Sequence, residues 1–262
     1  MHLLNPEHHP ASPDTIPLFG LKLSCMTYRQ TLDWLDREIL QKSGPRVCVF
    51  SANVDQLIRR RHDPIFSEAY QFADLIIPDG MPVVWSARLA GRSIPERVTG
   101  IDLMYGMCQR SANNRQSCFL LGSQSEVVST AVENLRKHFS SLRVCGWHDG
   151  YFSDDNPVVD AINATHPDIL FVGMGSPRQE LWLQHNFSKL HCRLALPVGG
   201  AFEVIAGCRH RAPVLVQKSG MEWAWRMLQE PRRLGKRYLI DDLRFVPLLM
   251  KEIRFRRTSG QA

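Results

Sequence analysis

Short apolar runs alternate with longer amphipathic stretches along most of this chain. The runs in RVCVFS (46–51), DLIIP (74–78), SCFLLG (117–122), PDILFVGMG (167–175) and RLALPVGGAF (193–202) are too short for helices and apolar on consecutive positions, as strands buried on both faces are. LRVCGWH (142–148) reads as a further strand, and IPLFGLKLSC (16–25) as a short hairpin turning at Gly20. The stretches between them have helical spacing and recognisable starts. Thr27 with Gln30 forms a capping box for a helix to about Lys42. ANVDQLIRRR opens the next helix, and Asp63-Pro64 re-caps the chain for another to about Phe72. MPVVWSARLAG, a segment from about Ile101, SQSEVVSTAVENLRKHF, DDNPVVDAINAT and PRQELWLQHNF complete the alternation. A last helix is predicted from about Pro213 to Glu230, where Pro231 interrupts it.

Strands that alternate with helices need crossover connections. The expected fold is therefore α/β, a Rossmann-like, mostly parallel sheet with helices on both faces. Residues 1–15 are expected to be a disordered leader, 16–220 the α/β catalytic domain and 221–262 a basic helical appendage. Charge sets the last part off. The chain carries +6 in 262 residues, and ten Lys/Arg against five acids in 221–262 leave only +1 for the rest. The appendage interleaves these cations with Leu234, Tyr238, Leu243, Phe245, Leu248, Ile253 and other apolar residues. That composition fits an anionic membrane surface, and fits equally a helix packed on its own domain or on a partner subunit.

No apolar run exceeds four residues, so a membrane-spanning helix is not expected, and MHLLNPEHHPASPD lacks the basic flank and apolar core of a signal peptide. Seven cysteines without a CxxC point to free thiols in a reducing cytosol. The ten histidines show no metal-ligand spacing.

In a parallel sheet ligands sit beyond the carboxyl ends of the strands. Asp79 falls there, between LIIP and a helix, although PDG is also a strong turn signal. Ser51 and Asn53 end another strand. Three Gly-rich junctions follow further strands: Gly122 in LLGSQSE, Gly173 and Gly175 in GMGSPRQE, and Gly199 and Gly200 in GGAFE. Glycines and new helix N-termini together suit a diphosphate, and the bland alternative is turn chemistry alone. GMGSPR has Arg178 where GxGxxG needs its third glycine, and no GxxxxGK[ST] occurs, which disfavours a dinucleotide or P-loop site. Arg97, in ERVTG, fits a charged ligand or a surface ion pair.

The blocks NVDQL, ADLIIPDGMPVVWSARLAG, ERVTGIDLM, FLLGS, DGYF, GMGSPRQE, VGGAFEVIAG, RAP and GMEWAWRMLQEPRRLGKRYL, in this order from about Ile16 to Leu239, resemble the WecG/TagA/CpsF family of bacterial glycosyltransferases. The resemblance implies a metal-independent, inverting enzyme without a cofactor. Its donor would be a UDP-sugar of N-acetylmannosamine, N-acetylmannosaminuronic acid or glucose. Its acceptor would be a polyprenyl-diphosphate-linked sugar at the cytoplasmic membrane face, feeding envelope polymers or exopolysaccharide. It places the general base on Asp79 and substrate contacts on Ser51 (where the family more often has Thr), Asn53, Arg97 and Gln179. It also implies that the segment from Met221 onward closes over the site and meets the membrane.

One carboxylate suffices for inverting transfer, unlike the pair in glycoside hydrolysis. No Asp-x-Asp is present to hold a metal on the leaving nucleotide, so Arg226, Arg232, Arg233 and Arg237 are the candidates to stabilise it. An NAD-type oxidoreductase and a basic nucleic-acid-binding module are the alternatives. The broken glycine fingerprint argues against the first, and a nearly neutral core against the second. Nucleic acid is not an expected partner, and a homo-oligomer is compatible with the tail.

Overall fold

The structure, a computed structural model, describes residues 13–41, 44–213, 215–216, 220–229 and 244–259. Its eight described strands form one sheet. They are β1 (Thr15–Leu18), β2 (Leu21–Ser24), β3 (Val47–Ala52), β4 (Leu75–Pro78), β5 (Ser117–Gly122), β6 (Arg143–His148), β7 (Ile169–Gly173) and β8 (Leu194–Pro197). The spatial order is β1-β2-β4-β3-β8-β7-β5-β6. Only the hairpin partner β1 runs antiparallel; every other pairing is parallel. The expected α/β class is thus observed.

Consecutive strand residues point to opposite faces, and both faces are covered. Val47, Val49, Leu75, Ile77, Leu120, Phe171 and Leu196 pack into one core. Helices α1 (Tyr28–Leu40), α5 (Gly100–Asn114), α6 (Ser125–His138) and α9 (Ala201–Ile205) close it. Cys48, Phe50, Ile76, Leu121, Leu170 and Ala195 face a second core. It is closed by α2 (Val54–His62), α3 (Pro64–Phe72), α4 (Met81–Leu89), α7 (Asn156–Thr165) and α8 (Arg178–Asn186). Runs apolar at every position are what this two-sided burial demands.

Helix starts follow their side chains. Thr27 and Gln30 make the expected reciprocal capping box on α1, and Asp63 caps α3 with Pro64 in its first turn. One expected helix is corrected. Residues 215–216 are helical, but the chain turns at Gly220 (φ +77°) before α10 (Glu222–Gln229) begins, so no single helix runs from Pro213 to Glu230. A Cβ at Gly220 would stand 2.8 Å from Met81 Cγ and 3.0 Å from Trp85 Cζ2, so the backbone lies directly on α4. The short α9 is an element the pattern did not announce.

The described part of the expected appendage is helical, as α10 and α11 (Phe245–Ser259). It leans on the α/β unit. Phe245 is buried against the second core with its ring 5.3 Å from that of Phe19, and Leu248 and Leu249 pack beside it. Glu252 pairs with Arg92 at 3.7 Å. Most of the expected leader lies outside the described residues.

Candidate active site

A cavity of about 280 Å³ opens at the carboxyl edge of the four central strands β4, β3, β8 and β7. The order of these strands places it where β3, whose chain continues to β4 on one side, meets β8 on the other. Such a reversal parts the flanking helices and leaves a crevice.

Asp79 is the first residue past β4. Its N–H donates to the Ala52 carbonyl at 3.0 Å, one further rung of the β3–β4 ladder, and the residue lines the cavity. The ladder stops there because α4 begins, with Gly80 as its N-cap at φ +130°. The Pro78 carbonyl accepts from Val98 N–H at 3.0 Å, tying the 91–99 loop to the same strand end. Ser51 and Asn53 stand beside Asp79 on the cavity wall. The Tyr70 hydroxyl donates to the Ser51 carbonyl at 2.6 Å, and burial, then the neighbouring Glu180, push this phenol well above its usual range. Asn53 caps α2. Its Oδ1 accepts from Gln56 N–H, and Gln56 Oε1 accepts from Asn53 N–H, both at 3.0 Å.

The Gly175–Ser176 turn and Gln179 bring the β7 end to the same cavity, and Gly199 and Gly200 bring the β8 end. Gln179 is buried. Its Nε2 donates to Glu180 Oε1 at 3.0 Å, and its Oε1 accepts from Gly199 N–H at 3.1 Å. Glu180 is fully buried and also accepts from Gln56 Nε2 at 3.0 Å. Burial raises its carboxyl above the ordinary glutamate range, against the opposing pull of the hydrogen bonds from Gln179 and Gln56.

Of the sequence candidates, the cavity gathers Asp79, Ser51, Asn53, Gln179, Gly175, Gly199 and Gly200. Gly122 and Gly173 do not line it. A Cβ on Gly122 (φ +137°) would lie 2.4 Å from the Gly173 carbonyl carbon, and one on Gly173 would lie 2.7 Å from the Phe202 ring. These two glycines serve the close approach of neighbouring chain segments. Arg97 stands outside the cavity lining and pairs with Glu222 of α10, which does line it. The side chain of Arg226, and all of Arg232, Arg233 and Arg237, lie outside the described residues.

Cavity residues that were not singled out include Gln56, Arg209, His210 and Arg211. The Asn-x-x-Gln spacing of a capping box was the available signal for Gln56. Arg211 is held at the cavity by Asp102 at 2.6 Å, and Asp102 also accepts from the Thr99 hydroxyl at 2.6 Å while Thr99 caps α5. The cavity therefore combines carboxylates (Asp55, Asp79, Glu222) with two guanidinium groups (Arg209, Arg211). Such a wall can take a proton and receive an anion. Among the described residues no three His, Cys, Asp or Glu side chains are grouped to hold a metal ion, and no helix is long and apolar enough to cross a membrane.

The model of the family described as "Glycosyl transferase WecG/TagA/CpsF family" matches residues 16–259, beginning where the motifs begin and running past Leu239 into the last helix. A Bacillus spizizenii protein is 29% identical over 207 residues, 79% of each chain. A Staphylococcus aureus protein is 28% identical over 239 residues, 91% of each chain. Both carry the name N-acetylglucosaminyldiphosphoundecaprenol N-acetyl-beta-D-mannosaminyltransferase. With the model covering nearly the whole chain, this protein belongs to the WecG/TagA/CpsF family of glycosyl transferases.

Proposed function

We propose that this protein is an inverting glycosyltransferase that moves a hexose or N-acetylhexosamine from a UDP-sugar to a polyprenyl-diphosphate-linked sugar, in the synthesis of a bacterial envelope polymer or exopolysaccharide. N-acetylmannosamine is the first donor sugar to test, and an N-acetylglucosamine-bearing lipid the first acceptor, because the two relatives carry those sugars in their names. The observation that carries the reading is Asp79, seated at the β4–α4 junction on a cavity it shares with Asn53, Gln179 and the turns at Gly175 and Gly200.

In this reading the Asp79 carboxylate takes the proton of the acceptor hydroxyl. The oxygen attacks the anomeric carbon from the face opposite the nucleotide. A new glycosidic C–O bond forms as the bond to the β-phosphate oxygen breaks, and the electron pair leaves on UDP. Arg209 and Arg211, which line the cavity, are proposed to meet the growing negative charge, and Arg226, Arg232, Arg233 and Arg237 are proposed for the same task. No step uses a metal or cofactor. The basic tail, which rests on the α/β unit through Phe245, is proposed to hold the enzyme at the inner face of the cell membrane as a peripheral protein.

A panel of UDP-sugars tested by UDP release, with a short-chain prenyl-diphosphate N-acetylglucosamine as acceptor, tests the reading. Acceptor-dependent release with at least one donor is expected. Release that ignores the acceptor, or none with any donor, would refute it.

A further inference from the structure

Glu180 is the one fully buried carboxylate among the described residues near this cavity, and the transfer chemistry leaves it without a task. Its Oε1 is the shared acceptor of two side-chain amides, Gln56 Nε2 and Gln179 Nε2, each at 3.0 Å. Because both amides turn their nitrogens toward Glu180, both must turn their oxygens away from it. Gln56 Oε1 then accepts from Asn53 N–H at 3.0 Å, and Gln179 Oε1 from Gly199 N–H at 3.1 Å. One oxygen thus orients two amides, and the amides tie down the loops that follow β3 and β8. Glu180 itself stands on α8, after β7. Three separate walls of the cavity are joined through it.

We propose that Glu180 is a positioning residue for the transfer reaction: its side-chain oxygen fixes the amide orientation of Gln56 and Gln179 and so sets the spacing of the Asn53 and Gly199 walls around Asp79. This rests on the transferase reading above. It assigns Gln179 a structural tie in addition to any substrate contact. The feature required of residue 180 is an acceptor oxygen, not a charge. The side-chain donors to its Oε1, Gln56 and Gln179, are neutral amides, which fits that requirement, and the affinity for a proton that burial raises is in keeping with it.

The test compares Glu180→Gln, which keeps an acceptor oxygen, with Glu180→Leu, which keeps the bulk and removes it. Glu180→Gln is expected to hold kcat within fivefold of the parent. Glu180→Leu is expected to lose more than tenfold in kcat with a KM for the UDP-sugar within threefold, because misplaced walls harm the reacting geometry more than nucleotide binding. In nitrogen-15 spectra the side-chain amide protons of Gln56 and Gln179, assigned from their Leu variants, should exchange slowly in the parent and in Glu180→Gln and rapidly in Glu180→Leu. Parent-like kcat in folded Glu180→Leu, or equal losses in the two variants, would overturn the proposal. Should Glu180→Leu fail to fold, Gln56→Met replaces it by cutting one arm. A kcat loss above fivefold is then expected, and a smaller loss overturns the proposal. Absence of turnover in the parent would instead count against the transferase reading, and the amide exchange would still decide the role of Glu180.

Discussion

Asp79 owes its place to its neighbours more than to itself. The rung from its N–H to Ala52 and the glycine start of α4 leave its side chain at the cavity, so PDG is both the turn and the carboxylate-bearing motif. Its position was legible because a strand end followed by a helix start is a local pattern. Glu180 was not legible as a hub, since its partner Gln56 lies 124 positions away and only the sheet order brings them together. The buried carboxyl has a consequence for pH. Its affinity for a proton is higher folded than unfolded, so the native state binds more protons between the ordinary glutamate value and the raised one. The stability contribution of Glu180 is therefore greatest at acid pH and falls as pH rises through that window. Glu180→Gln removes this dependence, and its melting temperature relative to the parent should rise as the pH is raised above the ordinary glutamate value. A difference that stays flat with pH would contradict the sign. Asn53→Ala removes the α2 cap and should cost about 1 kcal/mol in denaturant unfolding.

Among the elements, those with two-sided burial or a cap were readable from sequence, because each advertises itself within a few residues. β3 is buried at every position, and α1 carries both halves of its capping box. The five-residue α9 is too short for a helical period to show. The break at Gly220 depends on Met81 and Trp85, far away in the chain, and the local pattern between Pro213 and Glu230 gives no warning of them. The glycine junctions divide in the same way. Gly175, Gly199 and Gly200 reach the cavity, while Gly122 and Gly173 allow segments to touch. Gly173→Ala should therefore destabilise the fold by about 1–3 kcal/mol through overpacking on Phe202. The folded variant should keep its KM for the UDP-sugar. A selective loss of nucleotide affinity without loss of stability would make Gly173 a binding residue after all.

For the molecule as a whole, the sheet order, the tail and the cavity combine into one proposed device at a membrane surface. Helix α11 is both packed and basic. Phe245 anchors it to the core, whereas Lys251 and Arg254 remain exposed. Replacing Lys251 and Arg254 with glutamine should weaken binding to anionic vesicles by about 1 kcal/mol per removed cation near the surface. Melting should be little affected, and unchanged vesicle sedimentation would remove these two residues from the membrane contact. EDTA should leave turnover unchanged, and restoration by Mg²⁺ of activity lost to the chelator would contradict the metal-free mechanism. The most direct test measures acceptor-dependent UDP release and UDP binding side by side for Asp79→Asn. The account predicts a loss of at least about 100-fold in kcat, the scale of a missing general base, with UDP affinity within a few-fold of the parent. Turnover at the parental rate would contradict it.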